Sequence, residues 1–380
     1  MLGRVAAVPA APDEAAAMHL RQLRVEGLRC IEASEIEAHR RLNLLVGPNG
    51  AGKTSILEAI HCLSTGRSFR AGQHEHLIRR GSECLRVTAR VCSGGVDHRL
   101  GFERDRGGWR ARLDAEDVST LGDLASFLGV LCFEPESHAL IAGPAEGRRR
   151  LVDLALFHVE PTYLSVWRRY QRALRQRNAA LRAKERVAIC SAWDGVLSDS
   201  GEQLAALRRG WCERLAPQFA RALGVFLPDM ACADALRWRA GWDQTTTLEE
   251  VLAASGERDR ELGYTVAGPH RGDLRIQIGA GLGRYELSRG QQKLVALALT
   301  LATAAAMTDV LGWSPVLLLD DLPSELDPQR LRASLSFLRD LGAQLWLTST
   351  ELPESVNEFA DFGWHQLVLA DGRVQSRHCV

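Results

Sequence analysis

The feature that most constrains this chain is a glycine-rich loop between an apolar strand and a helix, within LLVGPNGAGKTSILEAI at residues 44–60. The loop matches the pattern G-x-x-x-x-G-K-[ST], and the runs on either side provide the strand and the helix that this pattern requires. Its residues are Gly47, Pro48, Asn49, Gly50, Ala51, Gly52, Lys53 and Thr54. An ordinary glycine-rich turn is the alternative, but the complete pattern in this setting favours a phosphate-binding loop.

Each part of such a loop has a chemical role. The glycines let backbone N–H groups approach phosphate oxygens, and the N-terminus of the following helix adds partial positive charge. Lys53 is expected to neutralise the β- and γ-phosphates, and the hydroxyl of Thr54 is expected to ligate Mg²⁺. The sequence therefore predicts ATP and Mg²⁺ as cofactors.

A second candidate element is the apolar run that ends in two carboxylates, VLLLDDLPSELD at residues 316–327. Asp320 is placed to hold the metal, partly through water, at the end of a buried strand. Asp321 is a candidate for the group that orients the attacking water or acts as its general base. Apolar runs ending in aspartate also occur at ordinary strand-to-turn junctions, so this catalytic set of Lys53, Asp320 and Asp321 depends on the phosphate loop.

The third candidate element is YELSRGQQKLVALAL at residues 285–299, where Ser288 precedes Gln291 by three positions at the start of an apolar helix. That spacing also fits an ordinary capping box. LSRGQ nevertheless resembles the LSGGQ signature of ATP-binding-cassette ATPases, and it stands between the phosphate loop and the acidic strand, in that family's order. The SELD segment at 324–327 is similar to the D-loop of the same family. The resemblance implies an ATP-dependent homodimer in which Ser288, Arg289, Gly290 and Gln291 of one subunit contact the nucleotide held by the other.

Within the cassette ATPases, further stretches resemble the RecF family of bacterial recombination mediators, over about residues 18–370. They are LRVEGLRCIEASEIE, GRSFR, FEPESHALIAGPAEGRRRLVD, GPHRGDL and LLLDDLPSELD. The resemblance implies a protein that binds DNA at gaps and at single-strand/double-strand junctions and that promotes RecA loading together with RecR and RecO. It also implies slow hydrolysis, because Asp321 replaces the glutamate of most cassette ATPases and LWLTSTE lacks the usual switch histidine.

The fold expected from these patterns is α/β: a P-loop, cassette-type ATPase lobe with a mixed sheet and flanking helices, and a largely helical inserted second lobe. We expect an N-terminal extension at 1–17, the first part of the ATPase lobe at 18–115, the helical lobe at 116–261 and the second part of the ATPase lobe at 262–380.

A basic helical segment, WRRYQRALRQRNAALRAKER at 167–186, is the candidate surface for DNA. A solvated helix face is the alternative, because arginine is a good helix former. The phosphate contacts that we predict, to single- and double-stranded DNA without sequence preference, are Arg148, Arg149, Arg168, Arg172, Arg175 and Arg182.

Composition limits the remaining function classes. Lys plus Arg and Asp plus Glu both number 47, so any surface for a polyanion must be local. The nine cysteines show no metal or disulfide spacing, which is typical of a reduced cytoplasmic protein, and we expect no membrane-spanning run.

Three other classes share parts of this pattern. The nucleotide-binding subunit of a membrane transporter shares the three motifs but has the switch histidine. A chromosome protein with coiled-coil arms needs a far longer insertion between Thr54 and Ser288. A simple kinase has no use for Ser288.

Overall fold

The computed structural model describes residues 18–70, 77–230, 235–278, 281–282 and 286–379, so the extension expected at 1–17 lies outside the described residues. The chain forms two compact units, one from Met1–Pro135 with Met307–Val380 and one from Glu136–Ala306. We call them the nucleotide unit and the helical unit.

An antiparallel sheet in the nucleotide unit has the order β2-β1-β4-β5-β6-β7. Its strands are β1 (His19–Leu28), β2 (Ile31–Glu37), β4 (Leu85–Ser93), β5 (Val96–Arg104), β6 (Trp109–Leu113) and β7 (Glu116–Asp117). In β4 the buried Leu85 and Val87 alternate with the exposed Arg86 and Arg90, the period of two expected of a strand with one face in the core. Strands β4, β5 and β6 pair as consecutive antiparallel hairpins.

A second sheet in the same unit has the order β15-β14-β3-β13-β12-β8 and is parallel except for the antiparallel pair β14 and β15. Its strands are β3 (Leu42–Val46), β8 (Val130–Phe133), β12 (Val316–Leu319), β13 (Leu345–Ser349), β14 (His365–Ala370) and β15 (Arg373–Cys379). The inner strands β12 and β13 are buried along their whole length, as parallel strands covered on both faces are. Because β3, β13 and β12 are parallel neighbours, their carboxyl ends meet at one edge.

The helices of the nucleotide unit are α1 (Lys53–Thr65), α2 (Leu121–Phe127), α11 (Leu322–Glu325) and α12 (Pro328–Leu341). A 3-10 helix, Glu354–Phe362, follows β13. Helix α1 contacts strands of both sheets and buries Ile56, Leu57, Ile60 and Leu63. Its packing fixes the phosphate loop at its N-terminus.

The helical unit contains α3 (Ala139–Ala142), α4 (Ala145–Val159), α5 (Tyr163–Arg182), α6 (Val187–Ser191), α7 (Asp194–Phe226), α8 (Leu248–Ala254), α9 (Gly256–Leu262) and the start of α10 (Arg289–Leu311). It also contains an antiparallel sheet of order β11-β10-β9, formed by β9 (Leu236–Arg239), β10 (Asp273–Ile278) and β11 (Gly281–Leu282), and short 3-10 helices at Pro135–His138, Pro228–Met230 and Pro269–Arg271. The largely helical character expected of this lobe is confirmed.

The boundaries between the units differ from those expected at 115/116 and 261/262. Strand β8 pairs with β12, so the first segment of the nucleotide unit extends to Pro135. Strand β10 pairs with β9 and therefore stays with the helical unit, which extends to Ala306. Strand pairing between distant segments, which composition does not reveal, moves both boundaries.

Helix α10 is, among the described residues, the one helix long and apolar enough to cross a membrane. From the sequence, we expected no such run. That expectation was wrong, because α10 meets the criteria of length and mean hydropathy. Most of α10 is buried inside the protein, including Val295, Leu297 and Leu299. A core helix meets the same criterion, so the feature is weak evidence for a membrane.

Candidate nucleotide and metal site

The phosphate loop joins β3 to α1, where the sequence predicts it. Gly50 and Gly52 have φ angles of 83° and 102°, in the left-handed region that favours glycine. A Cβ on Gly47 would lie 2.3 Å from the carbonyl oxygen of Leu369 in β14. The loop therefore requires glycine at positions 50 and 52 because of their backbone conformation, and at position 47 because a side chain would not fit.

Lys53, the first residue of α1, is buried inside the loop that it follows. Its Nζ donates hydrogen bonds of 2.6 Å to the carbonyl oxygen of Gly47 and 3.0 Å to that of Pro48. Burial lowers the pKa of Lys53, while the charges of Asp321 and Asp320 act in the opposite direction. The loop therefore holds a cation close to two carboxylates.

Asp320, directly after β12, is buried and lies beside Thr54 in the first turn of α1. The Thr54 hydroxyl donates to Asp320 Oδ1 at 2.9 Å, and the Thr348 hydroxyl, from β13, donates to the same oxygen at 2.8 Å. Burial raises the pKa of Asp320, and the two hydroxyl donors oppose this shift. Two neighbouring parallel strands and helix α1 thus bring three oxygen-bearing side chains to one point.

Asp321 has a left-handed backbone with φ of 54° and forms the N-terminal cap residue of α11. Its N–H donates to the hydroxyl of Thr348 at 2.7 Å. Its carbonyl oxygen accepts hydrogen bonds from Ser324 N–H at 3.1 Å and Ser324 Oγ at 2.9 Å. A non-glycine residue in this conformation costs about 1 kcal/mol or more and needs such support from its surroundings.

The oxygens of Thr54 and Asp320 fit a magnesium ion. Mg²⁺ prefers hard oxygen ligands and is commonly held by one or two protein groups together with substrate phosphates and water. The buried Asp320 carboxylate lies 2.9 Å from the Thr54 hydroxyl, and a bound divalent cation would compensate the burial of its charge. No cluster of three or more His, Cys, Asp or Glu with metal-binding geometry occurs among the described residues, so the protein alone offers no complete metal cage there.

Two features of this site were missed from the sequence. Thr348 contacts both Asp320 and Asp321. The sequence signal that could have identified it is a hydroxyl residue near the end of an apolar strand. Glu58, buried in α1, accepts from Arg29 at 2.9 Å and from Ser68 at 2.6 Å and so ties GRSFR to α1. The charge of Arg70, the last residue of that segment, opposes the rise that burial causes in the pKa of Asp320.

Ser288 caps α10 in the helical unit. Gln291 N–H donates to Ser288 Oγ at 3.3 Å and Ser288 N–H donates to Gln291 Oε1 at 2.9 Å, so both bonds of a capping box are present. Ser288, Arg289 and Gly290 are exposed, and a Cβ on Gly290 would have open space around it. Arg289 pairs with Glu136 at 3.4 Å. Although Ser288 caps the helix, the N-terminus of α10 remains exposed to solvent at Ser288, Arg289 and Gly290.

Helix α5 carries its arginines on two different faces. Arg168, Arg172, Arg175 and Arg182 are exposed, and their spacing of three, four and seven residues places them on one side of the helix. We call these four residues the arginine stripe. The opposite face buries Tyr170, Leu174 and Arg177. The stripe is arranged as a phosphate-contacting surface requires.

Two of the predicted phosphate contacts lie elsewhere and have other partners. Arg148 is buried, pairs with Asp273 at 2.8 Å and donates to the carbonyl oxygens of Leu140 and Gly143. This prediction is corrected, because a side chain so buried and bonded is not available to DNA. Arg149 is half-buried and donates to the carbonyl oxygen of Gly272 at 2.7 Å, which leaves it poorly placed for the same role.

Comparison with known proteins shows the family to which the chain belongs. Residues 19–360 match the family described as RecF/RecN/SMC N terminal domain. The chain is 42% identical over 347 residues to a DNA replication and repair protein RecF of Stenotrophomonas maltophilia, covering 90% of this chain and 95% of the relative. It is 41% identical over 365 residues to the RecF protein of Xanthomonas oryzae pv. oryzae, covering 94% of this chain and 98% of that one.

Solved structures with the same fold include two forms of the recombination mediator protein RecF in the RecFOR pathway. RecF-ATPrS has a TM-score of 0.80 at 25% identity, covering 94% of this chain and 98% of the other. RecF-ATP has a TM-score of 0.82 at 24% identity, and the match covers 96% of this chain and 98% of the other. The Smc head domain of Pyrococcus furiosus, at a TM-score of 0.55 and 13% identity, covers 96% of each chain and shares the fold alone.

Proposed function

The chain belongs to the RecF family of DNA replication and repair proteins, and we propose that it is an ATP-dependent, DNA-binding recombination mediator. ATP drives formation of a homodimer, and the dimer binds DNA at gaps and at single-strand/double-strand junctions. With RecR and RecO it promotes RecA loading in recombinational repair, replication restart and the SOS response. It acts in the cytoplasm, and slow, DNA-stimulated hydrolysis of ATP ends the cycle.

One observation supports this proposal above the others. Thr54 and Thr348 both donate to Asp320, and Lys53 lies within the phosphate loop, while Ser288 caps a helix whose N-terminus is exposed. A kinase needs the first arrangement alone. An exposed serine and glycine at a helix N-terminus form an anion-binding surface, and a second subunit's γ-phosphate is an anion of the required kind. The relatives named RecF-ATP and RecF-ATPrS make ATP the nucleotide to test.

The residues divide the chemistry as follows. The backbone of Gly47 to Gly52 and the ammonium of Lys53 bind and orient the phosphates. Thr54 and Asp320 would hold Mg²⁺, which neutralises phosphate charge when bound. Asp321 orients the attacking water or accepts its proton, with its backbone fixed by Thr348.

Hydrolysis is expected to be slow. Most cassette ATPases have a glutamate where this chain has Asp321. Because the aspartate side chain is shorter, its carboxylate is less well placed to accept a proton from the attacking water. The ATPase activity therefore serves as a switch between dimer and monomer, and a low turnover rate prolongs the DNA-bound state.

The test is sedimentation of the Ser288→Arg variant. This variant should bind ATP as a monomer nearly as well as the unmodified protein, because the phosphate loop is unchanged. It should not dimerise, because a bulky cation at the exposed helix N-terminus obstructs docking of the second subunit. Ser191→Arg, the same change at an exposed serine of α6, is the matched control and should dimerise with ATP.

ADP lacks the γ-phosphate and should leave the unmodified protein monomeric. A Ser288→Arg dimer as stable as that of the unmodified protein would contradict the composite site and leave Ser288 as a helix cap alone.

A further inference from the structure

Tyr264 and Arg271 form an exposed cation–π pair in the helical unit. The guanidinium carbon of Arg271 lies 5.2 Å from the centroid of the Tyr264 ring. Tyr264 keeps 40% of its surface exposed, and Arg271 is also exposed. An aromatic ring beside an arginine is the surface on which unpaired nucleobases stack, because every base has a π-face and the cation attracts the adjoining phosphate.

This pair lies next to one end of the arginine stripe. Gly263, with φ of +75°, turns the chain after α9, and a Cβ at this glycine would lie 3.5 Å from Arg182 Cγ. Arg182 is the last residue of α5 and the last member of the stripe. Tyr264 follows Gly263 directly in the chain, so a strand bound along the stripe would meet this segment at Arg182.

A buried hydrogen-bond network holds the turn that carries Tyr264 against α5. Thr265 donates from both its N–H and its hydroxyl to Asn178 Oδ1, each at 2.8 Å. Arg177 donates to Thr265 Oγ1 at 2.9 Å and to the buried Asp259 at 2.6 Å. These contacts give the inward-facing Arg177 a structural role and fix the position of the neighbouring aromatic ring.

The same network holds Arg271 from the other side. His270 Nε2 donates to the carbonyl oxygen of Thr265 at 2.9 Å, and the Tyr170 hydroxyl, also on α5, is 2.6 Å from His270 Nδ1. A Cβ on Gly268 would lie 2.8 Å from that hydroxyl, so the approach requires glycine. The segment GPHR is thus anchored to α5 at His270 and presents the next residue, Arg271, at the surface.

We propose that Tyr264 and Arg271 form a stacking site for an unpaired base of a DNA strand whose backbone is bound by the arginine stripe. This inference rests on the proposed DNA binding and deepens it, because it gives one residue pair the task of distinguishing single-stranded from paired DNA. A paired base is already stacked within its duplex and cannot offer its face to the ring. The flanking positive charge of Arg182 and Arg271 favours this polyanionic occupant over an apolar protein segment.

The test uses DNA with 2-aminopurine in the unpaired strand of a gap, together with a blunt duplex of equal length. With a non-hydrolysable ATP analogue, the unmodified protein should quench 2-aminopurine and prefer the gapped DNA. Tyr264→Leu should lose the quenching and bind gapped DNA about 5- to 100-fold more weakly, because base–aromatic stacking is lost. Its affinity for the blunt duplex and its thermal midpoint should stay unchanged.

Two control variants separate stacking from packing. Tyr264→Phe keeps the ring and should behave as the unmodified protein. Leu262→Ala removes a side chain that is 45% exposed at the end of α9, two residues before Tyr264, and should have no effect on quenching.

Three results would overturn the proposal. If Tyr264→Leu keeps the quenching and the preference for gapped DNA, stacking is absent, although DNA binding by the arginine stripe stands. If Tyr264→Leu weakens binding to the blunt duplex as much as binding to gapped DNA, or if it lowers the thermal midpoint, the role of Tyr264 is structural. If the unmodified protein binds neither DNA with the analogue, the proposed function fails together with this inference.

Discussion

Thr348, in β13, donates a hydrogen bond of 2.8 Å to the buried carboxylate of Asp320, directly after the neighbouring strand β12. Its hydroxyl also accepts the N–H of Asp321 at 2.7 Å. A single hydroxyl thus holds the proposed metal ligand and the backbone of the proposed general base.

Thr348→Val should remove both bonds while keeping the shape of the side chain. An unsatisfied buried polar group costs about 1–3 kcal/mol, so we expect a lower thermal midpoint. ATP binding should persist, while single-turnover hydrolysis should slow because Asp321 loses its anchor. Thr348→Ser keeps the hydroxyl and should restore the hydrolysis rate; equal rates for the valine and serine variants would contradict the positioning role.

Lys53→Ala should abolish ATP binding, because it removes the ammonium from within the phosphate loop. Asp321→Asn should bind ATP with nearly the affinity of the unmodified protein but hydrolyse it poorly, since an amide cannot accept the proton of water. Equilibrium binding and turnover measured on both variants separate these roles. Turnover by Asp321→Asn at the unmodified rate would exclude the general-base role.

Reversal of Arg172, Arg175 and Arg182 to Glu should weaken DNA binding for all sequences alike. It should also reduce the slope of log K against log salt concentration by about 3, one for each lost phosphate contact. The matched control reverses Arg106, Arg110 and Arg112, exposed residues on or next to β6, and should leave the salt dependence intact. Equal losses in the two variants would indicate a general charge effect and return the stripe to a solvated helix face.

His270 should contribute to acid sensitivity. Burial lowers the pKa of His270 to about 4, from an ordinary value of 6.5, so the folded protein keeps this imidazole neutral where the unfolded chain binds a proton. The unfolded state thus binds more protons between pH 6.5 and 4, and the free energy of unfolding falls as the pH falls through this window. His270→Asn cannot titrate and should show a shallower decline in denaturant unfolding; an unchanged slope would contradict the assignment.

Much of the fold followed from local pattern. The apolar run before Asp320 predicted a buried strand, which the structure has as β12. The loop from Gly47 to Thr54 was predicted in full, because its chemistry requires a fixed spacing of glycine, lysine and threonine.

Position in space was decided by the tertiary structure. The sequence assigned Arg148 and Arg172 alike to DNA, because both lie in basic, helix-forming segments. Folding buries Arg148 against Asp273 and leaves Arg172 exposed, a difference set by which face of each helix meets the core.

The sequence by itself therefore determined which residues can bind phosphate, because that capacity depends on residue type and local backbone. Only the tertiary structure decided that Thr348 reaches Asp320 and that Tyr264 lies beside the end of α5, because these contacts join segments far apart in the chain. Local sequence carries no record of such pairings, since they arise from parallel strand order and from buried hydrogen bonds between distant segments.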